Sequence, residues 1–99
     1  MLNIVVCGSG AFARELYFWI RQSEVHQNIK FKGFLDQDNG SLVSFKLDKY
    51  YLGNENDYVP ASDDRCLIAI SDVHLRKNVY EKLKGRGFNF FNYAHESVV

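Results

Sequence analysis

Charge of one sign is what this sequence lacks first. Its 99 residues carry 12 Lys and Arg against 12 Asp and Glu, a formal net charge of +0. Without a positive field or a basic tail, there is no argument for nucleic acid or for an anionic membrane surface as partner. Long hydrophobic runs are also missing, and no stretch reaches the ~18 apolar residues of a spanning helix. Met1-Leu2-Asn3 leads straight into an apolar run. It has neither the charged start nor the cleavage site of a secretory signal, so a cytoplasmic protein is expected. The cysteines are only two. Cys7 ends one predicted strand and Cys66 begins another, at opposite ends of a parallel sheet, so both are expected as free, buried thiols. No Cys/His spacing matches a zinc site. Repeats, low-complexity segments and linkers are absent, which leaves one domain with a single modest core.

What is present is concentrated at the amino terminus. Leu2 to Cys7 is a near-continuous apolar run of the kind buried on both faces of a sheet. It breaks at Gly8-Ser9-Gly10, and Ala11 to Ser23 follows with Phe12, Leu16 and Ile20 at four-residue spacing, widened by Trp19. A buried strand, a glycine turn and a helix start together form a common phosphate-holding device. Glycine lets the backbone approach an anion, while the first-turn N–H groups and the helix dipole supply roughly half a positive charge. Ala13 holds the third place of the glycine pattern and still permits close helix–strand packing. The plain alternative is a strand-to-helix turn with no ligand. Arg14 and Glu15 are placed in the first turn, where Glu15 suits the dipole and Arg14 does not. Two readings of Arg14 stand side by side: a contact to phosphate, or a solvated side chain.

Further along, Phe31 to Leu35 is predicted as a second strand, alternating Phe31, Gly33 and Leu35 against Lys32 and Phe34. It ends in Asp36-Gln37-Asp38-Asn39-Gly40, at the same sheet edge as the glycine turn. Asp36 stands 23 residues after Ala13, near the ~20 at which dinucleotide sites place a ribose-binding acid. A turn that uses those residues for its own backbone hydrogen bonds is the competing account. Ser41 to Gly53 reads as irregular with one short edge strand, and Glu55 to Val59 as one helical turn closed by Pro60, the sole proline. Cys66 to Ile70 is a third apolar strand, with Ser71-Asp72 as the cap of a helix over about Val73 to Lys84. Leu75, Val79 and Leu83 form its stripe, and Gly85 and Gly87 close it. Asn89 to Tyr93 is a last strand. His26 and His74 are expected on the surface. The aromatic share of 15% suggests a filled core plus exposed rings such as Tyr50 and Tyr51.

The alternation β-α-β-(irregular)-β-α-β predicts an α/β fold. It is a small three-layer Rossmann-like domain, with a mostly parallel sheet of four to five strands and helices on both faces. Only one mononucleotide half fits in this length, which favours a ligand containing one nucleotide over NAD.

Five segments in order carry a resemblance: GSGAFARE from Gly8, GFLDQD from Gly33, Leu52-Gly53, IAISDVHLRK from Ile68, and GFNFFNYAHESVV from Gly87. Together they resemble the N-terminal domain of the bacterial sialic-acid and nucleotide-sugar O-/N-acetyltransferases, over essentially the whole chain. The resemblance implies a nucleotide-sugar-binding domain, with a UDP-sugar as ligand, in a cytoplasmic enzyme of surface-glycan or sialic-acid biosynthesis. It also implies a following left-handed β-helix of hexapeptide repeats, which trimerises, binds acetyl-CoA and supplies a catalytic histidine as general base. Those repeats would lie beyond Val99, so the 99 residues read as a fragment or a stand-alone binding domain without a catalytic residue of their own. By resemblance, Gly8, Ser9, Gly10, Ala11 and Phe12 cradle the diphosphate or sugar, and Asp36 and Gln37 contact base or ribose. Ser71 and Asp72 line the same crevice with Arg76 behind them, and His95 leads toward the repeats. Two other classes remain: an NAD- or CoA-binding sensor module, and a structural docking domain.

Overall fold

The computed structural model of the chain describes residues 1–91. Four strands, β1 (Leu2–Cys7), β2 (Ile29–Leu35), β3 (Tyr51–Gly53) and β4 (Asp64–Ile68), form one sheet in the order β3-β2-β1-β4. Every pairing is parallel. Helix α1 (Ala11–Ser23) joins β1 to β2, the short α2 (Gly40–Ser44) and a 3₁₀ turn at Asp48–Tyr50 lead into β3, and α3 (Val73–Gly85) follows β4. The chain is a small Rossmann-like α/β domain. Parallel strands need crossovers; α1 and α2 pack on one face of the sheet and α3, after β4, on the other.

The two faces carry separate cores. Ile4, Val6, Phe31 and Phe34 meet Ala13, Leu16 and Ile20 of α1 on one face. Val5, Cys7, Leu35 and Cys66 meet Val79 and Leu83 of α3 on the other. Phe34, Ile4, Ile20 and Leu35 are among the largest fully buried side chains, each worth roughly 1.5–3 kcal/mol of burial. Tyr17, Phe31, Phe34 and Tyr50 add ring contacts with centroids 4.8 to 5.9 Å apart.

Several expectations are corrected here. Strand β2 begins at Ile29 and does not alternate strictly. Its register to β1 slips between Ile4 and Val5, which face Phe31 and Gly33, so Lys32 is an extra residue. Such a bulge re-phases a strand, and Phe34 thereby joins Phe31 on the α1 face while Leu35 turns to the α3 face. Gly33 is required because a Cβ there would lie 2.4 Å from the Tyr50 carbonyl oxygen. Strand β4 begins at Asp64, so Cys66 sits mid-strand opposite Val5. It therefore shares a core with Cys7 and is not at the far end of the sheet; both thiols are free and buried.

On α1 the buried stripe is Ala13, Leu16, Ile20 and Ser23, and Phe12 is 40% exposed. On α3 Leu75 is likewise exposed, leaving Val79 and Leu83. No acid lies in the first turn of α1, so Glu15 falls beyond it. Tyr50 and Tyr51 are half-buried; among the described residues the exposed rings are Phe12, Phe18, Phe45 and Tyr80. Ser41 to Gly53 does hold one short strand, with helical turns the sequence did not reveal. Of the expected last strand, Asn89 to Phe91 are described and form only an isolated parallel bridge, from Phe90 to Cys66. Asn92, Tyr93 and His95 lie outside the described residues. Among the described residues, no helix is long and apolar enough to cross a membrane.

Candidate functional site

The strand order reverses direction of travel between β1 and β4, and at such a switch point the loops after the two strands diverge and leave a crevice. That crevice is present, a cavity of about 440 Å³. Gly8, Ser9 and Gly10 form one wall, Asp36 and Gln37 the lip beside β2, and Ser71 and Asp72 the opposite side. The volume lies within the range of small-molecule sites.

Gly8 has φ +116°, and a Cβ there would come 2.9 Å from the Ala69 carbonyl oxygen. Only glycine fits both demands. Gly8 N–H donates to the Leu35 carbonyl at 2.7 Å, and Ala69 N–H donates to the Cys7 carbonyl at 2.8 Å. The turn is thereby tied to the ends of β2 and β4. Gly10 is the N-cap of α1 with φ −78°, and no side chain caps the helix. A Cβ at Gly10 meets nothing within 4 Å. The first-turn N–H groups have no acceptor within the helix.

Asp36 is half-buried at the lip. Its Oδ2 accepts the Ser9 hydroxyl at 2.5 Å and its Oδ1 accepts the Gln37 N–H at 2.7 Å. The backbone of Asp36 is held by its own N–H to the Gly53 carbonyl and by the Tyr51 hydroxyl on its carbonyl, each at 3.1 Å. Asp72 caps α3 by accepting the Leu75 N–H at 2.9 Å, as the sequence reading expected.

Not every expected residue reaches the cavity. Gly8, Ser9, Gly10, Asp36, Gln37, Ser71 and Asp72 line it, while Ala11, Phe12, Arg14 and Arg76 do not. Arg14 takes neither of its expected roles. Its guanidinium donates to the Ser9 carbonyl at 3.1 Å and lies 3.6 Å over the Phe45 ring. Arg76, His26 and His74 are exposed.

The sequence reading missed the floor. Glu55, from the crossover between β3 and β4, lines the cavity with Cys7, Ile70 and Val79. Its Oε2 accepts the Cys7 thiol at 3.2 Å, and its Oε1 lies 3.7 Å from Lys82 Nζ. Burial, then the Glu55 charge, holds the Cys7 thiol far above its ordinary value. Burial likewise pushes Cys66 up to about 12. Both cysteines stay protonated and unreactive at neutral pH.

Asp36, Glu55 and Asp72 place three carboxylates in the lining and no Lys or Arg. Attraction for an anion must therefore come from the α1 terminus and backbone N–H groups. Among the described residues, no group of three or more His, Cys, Asp or Glu is placed to hold a metal ion. No family model, curated protein or solved structure matches this chain. The site's own geometry therefore carries the functional argument.

Proposed function

We propose that this domain binds a nucleotide sugar, with its diphosphate at the Gly8–Gly10 turn and its ribose at Asp36. One observation carries the reading. The glycine turn, ending in the N-cap Gly10 of α1, and the carboxylate at the end of β2 line the same cavity. A diphosphate needs close backbone and free N–H groups, whereas a ribose needs a hydrogen-bond acceptor at the end of the second strand. The acceptor-rich remainder of the lining suits a sugar, which offers hydroxyl or amino hydrogens. The sequence resemblance extends the proposal. The domain would hold a UDP-sugar in the cytoplasm and orient its amine or hydroxyl for transfer of an acetyl group from acetyl-CoA. On that reading, the transfer chemistry and trimer assembly would come from a hexapeptide-repeat β-helix. Orientation of this kind is worth several kcal/mol of barrier.

Calorimetric titration with UDP-sugars tests the reading, with NAD and CoA run in parallel. Saturable binding of a UDP-sugar is expected, and Gly10→Val should abolish it while leaving the circular dichroism spectrum unchanged. No heat at millimolar ligand with a folded domain counts against it. Tighter binding of NAD or CoA would instead favour a sensor module.

A further inference from the structure

We infer that Ser9 is a positioning residue, which sets the Asp36 carboxylate to accept both hydroxyls of a ribose diol. This rests on the nucleotide reading above and gives Ser9 a role other than ligand contact. Ser9 is 4% exposed, and its hydroxyl hydrogen is committed to Asp36 Oδ2 at 2.5 Å. A hydroxyl has one hydrogen to donate, so Ser9 cannot give the same hydrogen to a phosphate. Its main chain is held from the other side, where Arg14 donates to the Ser9 carbonyl while stacked on Phe45. Phe45, Arg14, Ser9 and Asp36 therefore form one mechanical chain from the α2 segment to the lip.

The carboxylate at the end of that chain is half satisfied. An ionised carboxylate offers about four acceptor sites. Ser9 fills one on Oδ2 and Gln37 N–H one on Oδ1, leaving a site on each oxygen at the cavity edge. A vicinal diol presents two donors side by side and matches that remaining pair. Because Ser9 and Gln37 fix the carboxylate before a ligand arrives, little ordering entropy is lost on binding. Without the Ser9 hydroxyl, the carboxylate keeps only the Gln37 bond, and its match to two adjacent hydroxyls is degraded.

Titration of the wild-type domain, Ser9→Ala, Asp36→Asn and the double variant with UDP and with 2′-deoxy-UDP tests this. The wild type should bind UDP about tenfold more tightly than the deoxy ligand, in line with a hydrogen bond to a charged acceptor. Ser9→Ala should bring that ratio toward one while leaving the deoxy affinity within about twofold. In the Asp36→Asn background, Ser9→Ala should add no further loss, because the two act as one unit. Should Ser9→Ala lose the fold, Ser9→Cys carries the same expectation, since it keeps the volume and donates only weakly. Equal weakening of both ligands, or an unchanged ratio, overturns the positioning role. UDP binding by the wild type with no preference over the deoxy ligand overturns it while sparing the nucleotide reading. If neither ligand binds the folded wild type, both the positioning role and the nucleotide reading fall.

Discussion

Two aspartates at opposite ends of the sheet show what separates a structural carboxylate from an available one. Asp64 opens β4 at the amino edge and is 3% exposed. Its Oδ2 accepts the Tyr58 hydroxyl at 2.6 Å and the Ala61 N–H at 2.9 Å, and Lys32 Nζ reaches Oδ1 and Oδ2 at 3.0 and 3.1 Å. Its two oxygens take four contacts from three donors, and its burial leaves no room for a ligand. Asp36 follows β2 at the carboxyl edge, keeps solvent contact and has one donor on each oxygen. A saturated carboxylate locks a fold but has nothing left for a ligand, whereas an unsaturated one at a cavity does. Glu55 lies between these cases, with a thiol on one oxygen and a lysine near the other.

The sharpest way to break this comparison is to truncate both residues. Asp64→Ala strands Lys32 and Tyr58 without their shared acceptor, and removing one partner of a buried pair typically costs 3–5 kcal/mol. Lys32 keeps 33% of its side-chain exposure, so the low end applies, about 3 kcal/mol. Asp36→Ala should cost less, about 1–2 kcal/mol, since it strands the buried Ser9 hydroxyl but no charged partner. Urea denaturation of the two variants checks this. Equal losses would mean that Asp36 is as structural as Asp64.

A second comparison sits within the turn. Gly8→Ala forces an alanine to φ +116° and against the Ala69 carbonyl oxygen, which should cost about 2 kcal/mol. Gly10→Ala adds a methyl in open space at an ordinary φ, so stability should stay within about 0.5 kcal/mol. Thermal midpoints of both read this directly. A stable Gly8→Ala would deny that the turn is fixed by its close approach to β4.

These glycines also mark how far the sequence could be read. The turn, β1 and α1 were legible because each depends on neighbours along the chain: an apolar run, a break, then a periodic stripe. Even so, the stripe was read off-centre. Four-residue spacing drifts by about 40° per step on a helix, so Phe12 and Leu75 stand at the rims of faces centred on Leu16–Ile20 and Val79–Leu83. The bulge at Lys32 was not legible, since its phase shift exists only in the pairing with β1. Glu55 was missed for the same kind of reason. Nothing local to Asn54-Glu55-Asn56 says that the crossover from β3 to β4 brings it beneath Cys7. The place of Asp36 at the lip was readable from its spacing; its bond to Ser9 needed the folded turn.

The last test sharpens the contrast through pH. Burial alone would raise the Asp64 carboxyl, but hydrogen bonds from Tyr58, Ala61 and Lys32 outweigh it and hold the group below its ordinary value. For Lys32, burial pulls the ammonium down, and the Tyr58 and Asp64 bonds more than offset that. As pH falls, the unfolded chain takes up the Asp64 proton first, near the ordinary value of about 4. The folded chain takes it up only at lower pH. The stability contributed by the ionised form is therefore complete above about 4 and is lost as pH drops through the lower folded value. The loss should be smaller than in the glycine or truncation variants, because protonation removes a charge and leaves the carboxyl group in place. Asp64→Asn has no such charge to lose. Its urea midpoint should fall less steeply than the wild type's between pH 5 and 3, measured from each protein's own value at pH 7. Parallel curves would show that the network stabilises the amino edge by shape and hydrogen bonding alone, and that ionisation of Asp64 contributes nothing to the lock.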